Sequence, residues 1–249
     1  MRAYPIVVSM YWDNIPLTVL QKQREVFEVL QIPLKQELAN GVRHGVWMND
    51  VLRRAAPDDL VVFCDIDAFP LNREAHEFAL AQAQAGSVFG LAQFSNHRPT
   101  KETYAGPMYM ALQKATWERL GSPDMRSSKM FDAAEGLSLA ARAQGVPLTL
   151  VKPSACLVPK YALGHEGLFG IGTFYGNNDF FHLFESRDQV NERILEAVAD
   201  DVVARRPLQF GLYLQIAQAS SEASPPPSVP KRGKWQTWFQ TYASRLGKS

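Results

Sequence analysis

The sequence predicts an α/β fold: a single mixed, mostly parallel sheet flanked by helices, with a C-terminal helical extension. Three observations carry this expectation. Short runs of apolar and β-branched residues, such as 6–10 and 60–64, alternate with stretches of helical periodicity. The run Leu60-Val61-Val62-Phe63-Cys64 is apolar at every position, as in a strand covered on both faces. At 249 residues, 46% hydrophobic and 20% charged, the chain can bury one sizeable core.

Each element has its own local signal. Residues 6–10 form the first strand. Asp13 and Asn14 then lead to Pro16, suited to the first turn of a helix that runs to about Ile32. Residues 34–38 make a second strand, and 46–56 a second helix that Pro57 stops. The turn Pro57-Asp58-Asp59 precedes the third strand, 60–64. Asn72 caps a helix to about Ala85, which Gly86 ends. Residues 87–92 and 108–112 read as strands around a polar loop, 94–106. A short helix over 116–120, a helix from Asp132 to Gln144 and a strand over 148–151 follow. Five glycines between Gly164 and Gly176, interleaved with Phe169, Phe174 and Tyr175, mark either a mobile active-site loop or an irregular packed segment. Ser186 caps a helix through about Arg205, and 208–219 forms another.

The chain divides into an α/β domain over 1–218, a Ser/Pro-rich linker over 219–232 and a basic amphipathic tail helix over 233–249. The net charge of +1 is uneven. Lys231, Arg232, Lys234, Arg245 and Lys248 give the last twenty residues five cations and no acid, leaving 21 cations against 25 acids elsewhere. An overall basic footprint for nucleic acid is therefore absent. In the tail, Trp235, Trp238, Phe239, Tyr242 and Leu246 recur at helical spacing. Such a helix docks on its own domain or a second copy, or lies on an anionic membrane surface. No apolar run approaches the ~18 residues of a membrane span, and residues 1–12 lack the pattern of a signal peptide. Cys64 and Cys156 make no disulfide framework. The expected location is cytoplasmic, with the inner face of a membrane as a peripheral site.

The chemistry-bearing string is Val61-Val62-Phe63-Cys64-Asp65-Ile66-Asp67. In open α/β sheets, ligands bind beyond the carboxyl ends of the strands. Residues two apart on extended chain point the same way, so Asp65 and Asp67 converge. Two close carboxylates repel unless a cation or proton lies between them, and hard oxygens suit Mg²⁺ or Mn²⁺. The bland alternative is a polar turn with two solvated acids.

With this motif the chain resembles nucleotide-sugar-dependent glycosyltransferases of the GT-A fold, over roughly residues 4–185. Beside Asp65-Ile66-Asp67, the resemblance rests on Gly106-Pro107-Met108-Tyr109-Met110 with Trp117-Glu118-Arg119-Leu120-Gly121. It also rests on Phe131-Asp132-Ala133-Ala134-Glu135. It implies transfer of a sugar from a nucleotide-diphospho-sugar donor, UDP-sugar favoured, to a glycan, lipid-linked or other hydroxyl acceptor. Mn²⁺ or Mg²⁺, held by Asp67 with Asp65 on metal or ribose, would neutralise the departing diphosphate. His182 stands where such enzymes supply a later metal ligand, with a core histidine as the alternative and His165 as a second candidate. Asp132 or Glu135 is implied as the base for an inverting reaction. The spacing Asp-x-x-Glu is equally a capping box, and the intervening Ala133 and Ala134 depart from the family's adjacent acids. Tyr11, Trp12 and Asp13 are implied around base and ribose, Asp50 as a polar nucleotide contact and Arg187 on the pyrophosphate. His97, Arg98 and Lys101 are weaker candidates for diphosphate or acceptor. No phosphate loop, dinucleotide fingerprint, nucleophile elbow or zinc-type cysteine pattern is present. A metal-dependent phosphohydrolase and a non-catalytic nucleotide- or carbohydrate-binding module are the competing readings.

Overall fold

The computed structural model describes residues 5–95, 102–163 and 166–223. His97, Arg98, Lys101 and His165, most of the linker and the whole tail helix lie outside the described residues. The chain divides into two units, Met1–Ala217 and Gln218–Ser249, of which the first carries the β-sheets.

The central sheet has six strands in the order β2 (Leu34–Leu38), β1 (Val7–Tyr11), β3 (Leu60–Cys64), β6 (Thr103–Gln113), β5 (Val88–Phe94), β7 (Leu148–Val151). The pairings β1–β2, β1–β3 and β5–β7 are parallel, and β6 runs antiparallel to both its neighbours. This is the mixed, mostly parallel sheet that the alternating pattern predicts. Its faces are covered separately. Val62 and Cys64 of β3 point to a core shared with α1 (Leu17–Val29), α3 (Arg73–Gln84) and α6 (Gln189–Val203). Val61 and Phe63 point the other way, to α2 (His44–Arg54), α4 (Lys114–Arg119) and α5 (Glu135–Ala143). The period-two alternation of a strand thus explains why this run is apolar throughout.

A second sheet accompanies the first. It is antiparallel, in the order β4 (Ala68–Pro70), β10 (Phe180–His182), β9 (Leu168–Tyr175), β8 (Pro153–Ala162). The expectation of a single sheet did not contain it. Pro153 and Pro159 in β8 and glycine through β9 hide the strand pattern. The glycine-rich segment is a packed strand from Leu168 onward, not a loop. A Cβ at Gly170 would sit 2.3 Å from the Val158 carbonyl oxygen, so only glycine lets β8 and β9 approach this closely.

Several boundaries move. The polar loop shortens, because β5 runs to Phe94 and β6 starts at Thr103. Asn72 caps α3 as expected, accepting from the Ala75 N–H at 2.7 Å. The helix expected from Asp132 starts at Glu135, since Ala134 adopts φ 65° and breaks the helical run. The one expected from Ser186 starts at Gln189. The last described helix, α7 (Phe210–Ala223), extends into what was expected to be linker, because no proline falls between its start and Pro225. Among the described residues, no helix is long and apolar enough to cross a membrane.

Candidate metal centre

The centre is built where β3 leaves the sheet. The chain turns sharply after Cys64. Asp65 N–H donates to Met108 O at 3.0 Å, and Ala68 N–H closes the turn on Asp65 O at 3.0 Å. Ala68 then enters β4 opposite His182 of β10, and Leu183 N–H donates to Asp67 O at 2.9 Å. The two sheets therefore meet at this turn. That junction brings His182, more than a hundred residues later, to Asp65 and Asp67. One donor atom from each of the three lies within 4.8 Å of the others. His182 Nε2 is 3.7 Å from Asp67 Oδ1. Its Nδ1 is buried without a hydrogen-bond partner among the described residues.

Electrostatics favour a cation here. Burial, then the charge of Asp67, pushes Asp65 up to about 7, with His182 opposing. A second imidazole, His44, stands 3.5 Å from Asp65 Oδ1 through its Nε2. Burial lowers His44 to about 4, with Asp67 opposing, so at neutral pH it brings no positive charge to the carboxylates. Two aspartates and an imidazole form the oxygen-rich, mixed donor set that suits Mn²⁺ or Mg²⁺, with nitrogen favouring Mn²⁺.

Beside the centre opens a cleft of about 270 Å³, lined among others by Tyr11, Trp12, His44, Asp65, Asp67 and Arg187. Trp12 is held by its indole N–H, which donates to Val42 O at 3.0 Å. Arg187 donates through Nε to Asn14 Oδ1 at 3.2 Å, which ties the start of α6 to the loop after β1. The expected Tyr11, Asp65, Asp67, His182 and Arg187 thus gather at one place. No protein-family model matches the chain, and no curated protein matches it.

Other expected residues lie elsewhere. Asp13 is the brace of its own loop: its N–H donates to Asn40 Oδ1 at 2.8 Å, and Asn40 donates back to its carboxylate at 3.0 Å. Asp50 is exposed on α2 and pairs with Arg53 at 2.9 Å, one turn along the same helix. Neither lines the cleft. Glu135 is buried, and its Oε2 accepts from Ser95 Oγ at 3.0 Å and from the Asp132 N–H at 2.9 Å. This last bond, with the Glu135 N–H donating to Asp132 O, braces the turn that leads into α5, so Glu135 organises the helix start. Asp132 is half-buried, and its carboxylate accepts from Tyr104 OH at 3.4 Å. Burial raises the Tyr104 hydroxyl, and so do the charges of Asp132, Glu135 and Asp65, which places Tyr104 in the field of both acidic groups.

Sequence reasoning passed over His44. It begins α2, and its ring stacks on Trp47 at 5.7 Å; Trp47 in turn donates to Glu37 of β2 at 2.7 Å. Gly45 packs so tightly that a Cβ would lie 2.4 Å from Arg126 Cα and from Met125 O. The available signal was a His-Gly pair at a helix start directed toward a strand end, which is too common to single out.

Proposed function

We propose that this protein is a metal-dependent glycosyltransferase that moves a sugar from a nucleotide-diphospho-sugar donor to an acceptor hydroxyl. The observation that carries the reading is the Asp65–Asp67–His182 cluster beyond the end of β3, beside a cleft with an aromatic wall and an arginine. A divalent ion held by these three side chains would supply charge neutralisation for the leaving diphosphate. The chain's own groups do the rest. Arg187 reaches the cleft and offers a planar fork of donors to phosphate oxygens. Tyr11 and Trp12 offer aromatic surface to a base, with a uracil nucleotide favoured. Asp132, whose carboxylate accepts from Tyr104 OH, is the acid proposed to accept a proton from an acceptor. A glycan, a lipid-linked glycan or another hydroxyl compound is the acceptor class. The basic, aromatic segment 233–249 supports a peripheral membrane contact or self-association.

Calorimetric titration of UDP- and GDP-sugars with and without Mn²⁺ tests the reading. Binding is expected to require the metal and to be lost in Asp67→Ala. Metal-independent binding, or binding that survives that substitution, defeats the clamp. Phosphate-ester hydrolysis without nucleotide preference points instead to a phosphohydrolase.

A further inference from the structure

We infer that Gln23, which does not line the cleft, is a positioning residue for the metal centre: its buried amide holds the turn that carries both aspartates. The inference rests on the metal reading of Asp65 and Asp67.

Gln23 is fully buried on the inner face of α1, among Val19, Leu20, Val26 and Phe27. A primary amide in such surroundings costs stability unless its donors and acceptor are all used. They are used on the turn. Nε2 donates to Asp65 O at 2.8 Å and to Ala68 O at 2.9 Å, the two ends of the four-residue turn. Oε1 accepts from Gln36 Nε2 at 3.0 Å, and Gln36 is itself anchored to Leu20 O at 2.9 Å. That bond defines which way the amide faces, with its carbonyl toward β2 and its NH₂ toward the turn. Ser9 of β1 completes the arrangement. Its hydroxyl donates to Cys64 O at 2.6 Å and lies 3.2 Å from Gln23 Nε2.

Two elements, β1 and α1, thus converge on the carbonyls of Cys64, Asp65 and Ala68, and β2 holds the Gln23 amide that reaches two of them. The physical need is specific. Asp65 and Asp67 repel each other, and a turn that could open would relieve that repulsion by separating them. Clamping both ends of the turn from beneath prevents this and keeps the carboxylates preorganised for a cation. Outer-shell partners of metal ligands have this role, and their loss costs about 10–100-fold in metal affinity. An apolar residue would fill the same space on α1 but would leave two carbonyls without this donor.

The test measures Mn²⁺ affinity of the full chain from the loss of the free-ion EPR signal, alongside thermal melting. Gln23→Met conserves volume and removes both N–H groups. It is expected to weaken Mn²⁺ binding by about tenfold or more. Val26→Ala on the same helix serves as the stability control; it is expected to lower the melting temperature and leave Mn²⁺ affinity unchanged. Should Gln23→Met fail to fold, Gln36→Leu decides: it leaves Gln23 in place, removes the anchor of its amide together with the Gln36 bonds to Arg24 and Leu20, and is expected to weaken Mn²⁺ binding several-fold. Wild-type affinity in the glutamine variants, or an equal loss in Val26→Ala, overturns the inference and leaves the metal reading standing. A wild-type chain that binds no Mn²⁺ overturns both.

Discussion

Asp65 shows what burial and a like-charged neighbour do to one carboxyl group. Burial and the neighbouring Asp67 push it to about 7 from an ordinary value of 3.8. The folded metal-free protein therefore holds the Asp65 proton more tightly than the unfolded chain does. The stability this contributes is complete below about pH 4 and is lost as pH rises toward 7. His44 acts in the opposite sense: its lowered value means that stability present above 6.5 is lost as pH falls toward about 4. The two offset each other in a simple melt, so the contribution of Asp65 is isolated by substitution. Metal-free Asp65→Asn is expected to melt close to wild type at pH 4 and progressively above it as pH approaches 8, while binding Mn²⁺ far more weakly. Melting curves over that pH range, with and without Mn²⁺, check this. Equal melting temperatures at pH 8 would show that Asp65 is not strained. The residue scale also marks a limit of sequence reasoning. Asp65-Ile66-Asp67 announces itself because two acids follow an apolar strand. Asp50 and Glu135 carry the same charge, yet one is bound to Arg53 at the surface and the other to its own helix start.

At the scale of elements, the site depends on how α2 is seated. Its first residue, His44, reaches Asp65 only because Gly45 lets the helix end press against the 125–126 segment. A methyl group at Gly45 meets backbone atoms at 2.4 Å, which cannot move aside as a flexible side-chain tip would. Gly45→Ala is expected to lower stability by about 2 kcal/mol, the usual range for overpacking, and to withdraw His44 from the cleft. Chemical denaturation reads the first effect, and the histidine resonances in an NMR spectrum read the second. An unchanged spectrum would mean that α2 can shift without carrying His44 with it. Helix positions were legible from caps and stops, as at Asn72 and Pro57. The β8–β9–β10 sheet was not, because glycine and proline interrupt its alternation and its strands are recognised only by their partners.

For the whole molecule, the two sheets divide the labour. The mixed sheet supplies β3 and its terminal aspartates, and the antiparallel sheet returns the chain from residue 153 onward to deliver His182. The segment beyond Ala223 carries the positive charge and the clustered aromatics. Its removal is expected to leave the melting temperature and Mn²⁺ affinity of the remaining chain unchanged. Flotation with vesicles containing anionic lipid is expected to be abolished. Undiminished flotation after truncation would sink a membrane role for the tail.

What the sequence by itself determined is local: which runs are strands or helices, that the sheet is mixed and mostly parallel, and that two acids stand at the end of a buried strand. Periodicity and turn chemistry act over a few residues, so a sequence displays them directly. Tertiary structure alone decided which distant groups share that strand end. His182 and His44 arrive through sheet pairing and helix packing, and Gln23 grips the turn from beneath. These contacts join residues far apart along the chain. No local pattern encodes them, because they depend on how the two sheets and α1 close around one shared core.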